Sequence, residues 1–215
     1  MTQIVLLPGW STPAAIFKPL EHALESDYQV SIAPLPQLGA DSIKHPRDYT
    51  LENILPLLLA QIPPKSIIFG WSLGGMLALE LAHHYSNHLS KIITCSTNLK
   101  FVQDANWSCA MLAQDFSAFT QLLSTDQEKC IDRFIGLMCR GSGQFKQHKR
   151  ELKGLYAQNS LCADTLAASL QLLSSLDLRS VWPPKVAGLH MYGQQDAVVP
   201  VKLTNHLSAA DKQHI

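Results

Sequence analysis

Ser72 stands in GWSLGG, residues 70–75, with a glycine two positions before it and another two positions after. That spacing suits a nucleophile. A serine on a sharp turn between a strand and a helix sits in strained backbone, and its neighbours cannot carry bulk. Gly70 and Gly74 let the chain pass closely enough for the hydroxyl to stand exposed. The helix that follows aims its first N–H groups, and the positive end of its dipole, at the place where an oxyanion would form. The chemistry implied is acyl transfer through a covalent serine ester. The five-residue pattern alone is weak, since average glycine and serine usage produces it by chance in roughly one chain of this length in fifteen. The surroundings add weight. The β-branched run KSIIF enters the turn, and the apolar helix pattern LGGMLALELAHHY leaves it. The plainer alternative is a tight turn whose serine only caps the helix.

A serine nucleophile needs donors for its oxyanion, a carboxylate and a base. A second glycine turn, LLPGW at residues 6–10, closes the first strand pattern. In hydrolases built on such an elbow, the loop after an early strand supplies one oxyanion N–H, and the residue after the nucleophile supplies the other. Here these are the backbone N–H groups of Trp10 and Leu73, and the Trp10 indole is a candidate wall for the acyl pocket. The triad order on this elbow is serine, acid, histidine. Asp196, in GQQDAVVP, follows the strand pattern KVAGLHMY in a glycine-led turn, where a triad carboxylate belongs. Asp164 and Asp177 are weaker alternatives, because neither follows a strand. The base is harder to place. It should follow one further helix and strand, and only the stretch VKLTNHLSAADKQHI remains after Pro200. Of nine histidines, His22, His83, His84 and His88 fall on helices or helix ends, His45 in a polar loop, His148 in a basic stretch and His190 inside a strand. His206 comes too early, and His214 lies nearest the required place but at the wrong end of a strand. The base is therefore expected beyond Ile215.

These residues need a scaffold, and the periodicity supplies one. QIVLLPG, YQVSIAPLP, SIIFG, KIITCSTN and KVAGLHMYG read as strands. IFKPLEHALES, with Phe17, Leu20 and Leu24 on one face, reads as a helix. So does LENILPLLLAQI, with Thr50 as its cap, and a further helix is expected to begin near Val201. The alternation implies an α/β fold, a mostly parallel sheet with helices on both faces. From about Ala105 to Leu178 the strand pattern stops, and Ile131, Phe134, Ile135 and Met138, then Leu152, Leu155 and Tyr156, then Leu166, Leu170 and Leu173 recur at helical spacing. The expected organisation is a core over 1–104, a helical lid insertion over 105–180, and the second part of the core over 181–215.

Composition bounds the rest. The 215 residues suit one domain, with 47% hydrophobic and 16% charged residues, and the 17 basic residues balance the 17 acidic ones. Nothing in that balance points to nucleic acid or a membrane surface. No apolar run reaches membrane-spanning length, and MTQIVLLPGW reads as a first strand rather than a signal peptide. Five cysteines without CxxC spacing fit a reduced, cytoplasmic protein. No HExxH or clustered Cys/His pattern is present, so neither metal nor cofactor is expected.

Taken in order, LLPGW, GWSLGG, RFIGLM and GQQDAVVP resemble the α/β-hydrolase superfamily, and within it the methyl ester carboxylesterases of bacterial biotin synthesis. The similarity runs from the first strand to the end. GWSLGG is widespread in the superfamily; the lid pattern, RF followed by LDLR before the acid strand, is more specific. The resemblance implies a cytoplasmic, monomeric serine esterase that removes the methyl group from a pimeloyl ester borne on acyl carrier protein. It carries Ser72 onto the nucleophile, Asp196 onto the acid, and Trp10 and Leu73 onto the oxyanion positions. Phe134, Ile135, Gly136, Leu137 and Met138 fall on a lid segment lining the acyl site. The chain departs from that pattern twice: Pro8-Gly9 stands where His-Gly usually precedes the tryptophan, and the family's histidine segment has no counterpart. Arg133, Arg140, Lys146, Lys149, Arg150 and Lys153, against Glu151, form a basic lid stretch suited to docking an acidic carrier. Two other readings share these motifs. One is a general small-ester or C–C bond hydrolase, and the other is a binding protein on the same scaffold without catalysis.

Overall fold

The chain alternates β-branched runs with amphipathic ones, and the outcome is a parallel sheet. The computed structural model describes residues 1–39, 42–158 and 162–207. Five strands, β1 (Thr2–Leu7), β2 (Tyr28–Ile32), β3 (Ser66–Trp71), β4 (Leu89–Cys95) and β5 (Gly188–Met191), lie in the order β2-β1-β3-β4-β5, every pair parallel. The period of two decides which side chains go to which face. In β1, Val5 and Leu7 enter the main core, while Ile4 and Leu6 join a second cluster with Phe17 on the opposite face. Leu20 and Leu24 of α1 (Lys18–Leu24) cover that second cluster. The sheet is therefore sandwiched, as parallel sheets require.

On the other face lie α2 (Leu51–Leu59) and α3 (Leu73–His84). From Leu73 to Ala82 every residue of α3 is buried. A fully buried leucine contributes about 2 kcal/mol, so packing holds this helix in place without a side-chain cap at its start. Thr50 occupies the N-cap position of α2 with extended backbone, but its side chain makes no cap hydrogen bond. The region expected to be helical contains α4 (Ala113–Thr125), α5 (Gln127–Met138), α6 (Phe145–Ala157) and α7 (Ala163–Ser175). Where this stretch leaves and rejoins the sheet, Leu178 N–H donates to the Leu99 carbonyl at 2.7 Å, and Lys100 and Arg179 both pair with Asp177. The helix expected near Val201 is a short 3₁₀ segment, Val201–His206, started by Pro200. Val201, Thr204, Asn205 and His206, four of its six residues, are weak helix formers, which fits the short, tighter form. The expected final strand, KQHI, lies outside the described residues.

Candidate active site

Strand order reverses between β1 and β3, and the carboxyl ends of those strands frame the crevice where α/β sheets bind ligands. Ser72 stands at that point, between β3 and α3, with φ 54° and ψ −117°. Few residues with a Cβ adopt this conformation. Four hydrogen bonds hold it: Ser72 N–H donates to the Cys95 carbonyl at 2.9 Å, and the Ser72 carbonyl accepts from Gly75 N–H at 3.0 Å, Met76 N–H at 3.1 Å and Thr97 Oγ1 at 3.4 Å. Ser72 is the N-cap residue, yet its side chain makes no cap hydrogen bond. The hydroxyl is thus not spent on the helix, which disfavours the plain capping reading.

The two glycines have structural causes. A Cβ on Gly70 would come within 2.5 Å of the Gly74 carbonyl oxygen and of Gly75 Cα, and one on Gly74 would collide with the backbone of Leu7 and Pro8. The loop after β1 also comes close: a Cβ on Gly9 would lie 3.3 Å from Ser72 Cβ. Trp10 follows Gly9 directly. Leu73 opens α3, so its N–H has no carbonyl one turn back within the helix.

Ser72 and Asp196 line one cavity of about 280 Å³, together with Gly9, Thr12 and Ser96, with Phe134, Leu137 and Met138 of α5, and with Arg140 just after it. The Asp196 carboxylate is oriented by its own loop, its Oδ1 accepting from Val198 N–H and Val199 N–H, each at 2.8 Å. Cys95, whose carbonyl accepts from Ser72 N–H, carries a thiol disfavoured as a thiolate. Burial pushes its thiol pKa up, and the nearby Asp196 charge adds to that.

Several expected positions fall elsewhere. The lining does not include the Trp10 side chain. Its indole is buried, donates from Nε1 to the Leu166 carbonyl at 3.0 Å, and packs edge-on against Phe119 and Phe134. Ile135 points away from the cavity, into a separate cleft of about 590 Å³ with Ile131, Lys153 and Tyr156. Gly136 lines neither cavity. Asp177 is bound to Arg179 and Lys100 at the neck of the helical stretch, away from Ser72. Arg133, Arg140, Lys146 and Arg150 are exposed. Lys149 and Lys153 instead grip Asp132 at 2.9 and 2.8 Å, so the basic stretch presents fewer uncompensated charges than its composition suggests.

Among the described residues no histidine lines the cavity. His190 is buried against Thr94 and Trp182, with Nδ1 2.8 Å from Thr94 Oγ1. His206 stacks on Trp107, and His148 bonds Ser142. His84 pairs with Glu80, and His88 bonds the Ile62 carbonyl. His214 lies outside the described residues. No group of three or more His, Cys, Asp or Glu is placed to hold a metal among the described residues, and no helix there is long and apolar enough to cross a membrane. Sequence reasoning missed Thr12, Ser96 and Gln195. Thr12, two residues past Trp10, was the most accessible of these from position alone.

The family model described as the alpha/beta hydrolase family matches residues 4–214. The chain belongs to the alpha/beta hydrolase family. This hydrolase is 35% identical over 212 residues to the pimeloyl-acyl-carrier-protein methyl ester esterase of Vibrio atlanticus, spanning 96% of this chain and 81% of that one. To the enzyme of the same name from Vibrio vulnificus it is 33% identical over 209 residues, at 96% and 81% coverage. Among solved structures, an esterase from Exiguobacterium antarcticum superposes with a TM-score of 0.81 at 19% identity, covering all of this chain and 80% of that one. At that identity the superposition speaks for the hydrolase fold alone.

Proposed function

We propose that this hydrolase is a serine carboxylesterase that cleaves the methyl ester of a pimeloyl group borne on acyl carrier protein, releasing methanol, in the biotin pathway. The observation that carries the reading is the 35% identity to an esterase of that name over 96% of the chain, with Ser72 and Asp196 in one cavity. Ser72 Oγ attacks the ester carbonyl, and the N–H groups of Leu73 and Trp10 hold the oxyanion. The tetrahedral adduct collapses with expulsion of methanol, and water then cleaves the acyl-serine. Asp196 orients the imidazole that takes the Ser72 proton and passes it to the leaving methoxide. That imidazole is not one of the eight described histidines, since none lines the cavity. Phe134, Leu137 and Met138 supply an apolar wall for the acyl chain. The carrier docks on Arg133, Arg140, Lys146 and Arg150, while Lys149 is occupied by Asp132. The enzyme acts as a monomer in the cytoplasm.

The test compares methanol release from the carrier-borne ester with release from free short-chain methyl esters, for the wild type and Ser72→Ala. The reading expects preference for the carrier-borne ester, loss of turnover in Ser72→Ala, and a fluorophosphonate adduct on Ser72. Charge reversal at Arg133, Lys146 and Arg150, exposed residues outside the Ser72 cavity, should raise KM for the carrier-borne ester alone. Equal turnover of both substrates would return the assignment to a general esterase. An unlabelled Ser72 in a folded protein would favour the binding-protein reading, and acceleration by added imidazole would identify a site short only of its base.

A further inference from the structure

The loop Gly9–Thr12, whose Trp10 N–H is assigned above to the oxyanion, is held from the lid side by all four helices. Phe119 of α4 and Phe134 of α5 pack edge-on against the Trp10 indole, at 5.5 and 5.2 Å between ring centroids. The Leu166 carbonyl of α7 accepts its Nε1–H. The remaining helix, α6, reaches the same loop through Tyr156, whose hydroxyl lies 3.4 Å from Ser11 Oγ. Ser11 itself has φ 56°, in the left-handed region where a residue with a Cβ persists only under outside restraint. Next to it, Thr12 N–H donates to the Gly9 carbonyl at 3.2 Å, and Thr12 Oγ1 donates to the Trp10 carbonyl at 3.1 Å, which closes the turn on itself.

We propose that Tyr156 is a positioning residue: its hydroxyl, through Ser11, fixes the Gly9–Thr12 turn and so the direction of the Trp10 peptide N–H beside Ser72. This rests on the esterase reading for its catalytic consequence, though not for the tether itself. The geometry gives Tyr156 a role beyond filling space. Its ring lines the 590 Å³ cleft on the far side of α5 from the Ser72 cavity, so it does not line the space where the ester carbonyl would sit. What it can affect is the turn. Burial pushes the phenol's pKa up, against the opposing effect of its hydrogen bonds with Ser11 and Thr12. The Ser11 and Tyr156 hydroxyls thus share one hydrogen bond, in which either can donate, while the Ser11 backbone is held in an unfavourable conformation. A displacement of α6 is transmitted to the peptide that precedes Ser11. Three of the four helices reach the turn through the Trp10 indole, and this pair is the link from α6.

The experiment uses the full chain with Tyr156→Phe, Tyr156→Leu and Ser11→Ala, alone and as the Tyr156→Phe/Ser11→Ala pair. Hydrogen exchange of the amides of residues 9–12 reads the tether without any need for turnover. Tyr156→Phe should speed that exchange about fivefold, the equivalent of one ordinary hydrogen bond. It should lower kcat on the carrier-borne methyl ester by a similar factor with KM within twofold. Ser11→Ala should match it, and the double variant should be no worse than either single one. If Tyr156→Phe leaves exchange and kcat unchanged while Tyr156→Leu alters both, the ring acts by packing and the proposal is overturned. Additive effects in the double variant would overturn it as well. If the wild type shows no Ser72-dependent turnover, the esterase reading fails, and the exchange measurement still decides the tether.

Discussion

Replacing Ser72 with glycine should abolish esterase activity and stabilise the protein. Ser72 has φ 54° and ψ −117°, a conformation glycine reaches without steric conflict and serine does not. Holding a residue with a Cβ in so sparsely populated a backbone region costs about 1–3 kcal/mol. Glycine gives back about 0.5–1 kcal/mol in backbone entropy. No cap hydrogen bond is lost, because the Ser72 side chain makes none. The central net gain is about 1 kcal/mol, or about 3 °C in Tm for a chain of this size. Ser72→Ala is the control: it removes the hydroxyl and keeps the Cβ, so activity is lost and Tm does not rise. Differential scanning calorimetry of the three proteins in one buffer, with urea midpoints as a second measure, separates strain from chemistry. A Ser72→Gly protein no more stable than Ser72→Ala would refute the argument that the turn stores strain at the nucleophile.

Other outcomes follow from single contacts. Gly74→Ala gains helix propensity of about 1 kcal/mol, but its Cβ meets the backbone oxygens of Leu7 and Pro8, which cannot move away as a flexible side chain would; a net loss of more than about 3 kcal/mol in urea unfolding is expected. Asp196→Asn keeps an oxygen to accept from Val198 N–H and Val199 N–H, so its Tm should stay within about 2 °C of wild type while hydrolysis falls by about three to four orders of magnitude. Asp177 is held well below the usual carboxylate range, first by its hydrogen bonds from Arg179 and then with help from Lys100. Its stabilisation is present above its unfolded pKa of about 4 and is lost as pH falls towards the depressed folded value. Because the group is partly exposed, screening leaves it about 1 kcal/mol. Tm measured from pH 7 to pH 3 should fall less steeply in Asp177→Asn than in the wild type.

The elbow was legible because its glycines answer to contacts within a few residues and with one neighbouring strand. A sequence pattern records such constraints directly, and Asp196 was legible for a related reason, as the polar residue in the turn after a strand. The lid segment was legible only in part. Phe134, Leu137 and Met138 fall at i, i+3 and i+4, one helical face, while Ile135 lies on another; periodicity applied within the segment separates them. Within the basic stretch, the pairing of Lys149 and Lys153 on α6 with Asp132 on α5 was not legible. No local pattern signals an ion pair between two helices. The Trp10 indole and Ser11 belong to the same class, since their partners Leu166 and Tyr156 are brought to them only by the packing of the lid. The 3₁₀ form of Val201–His206 was readable in hindsight from its poor helix formers.

The contact between Leu99 and Leu178 bears on how the chain assembles. β4 and β5 pair side by side, yet the whole helical stretch is synthesised between them. Joining distant points of a flexible polymer costs entropy that grows with the logarithm of the intervening length, about 0.6 kcal/mol per doubling. Once Leu178 has met Leu99, with Lys100 and Arg179 fastened to Asp177, that detour is closed and β5 has only a short tether left to search. The Asp196 turn comes immediately after β5. The same closure therefore lowers the entropic cost of bringing Asp196 to the cavity it shares with Ser72.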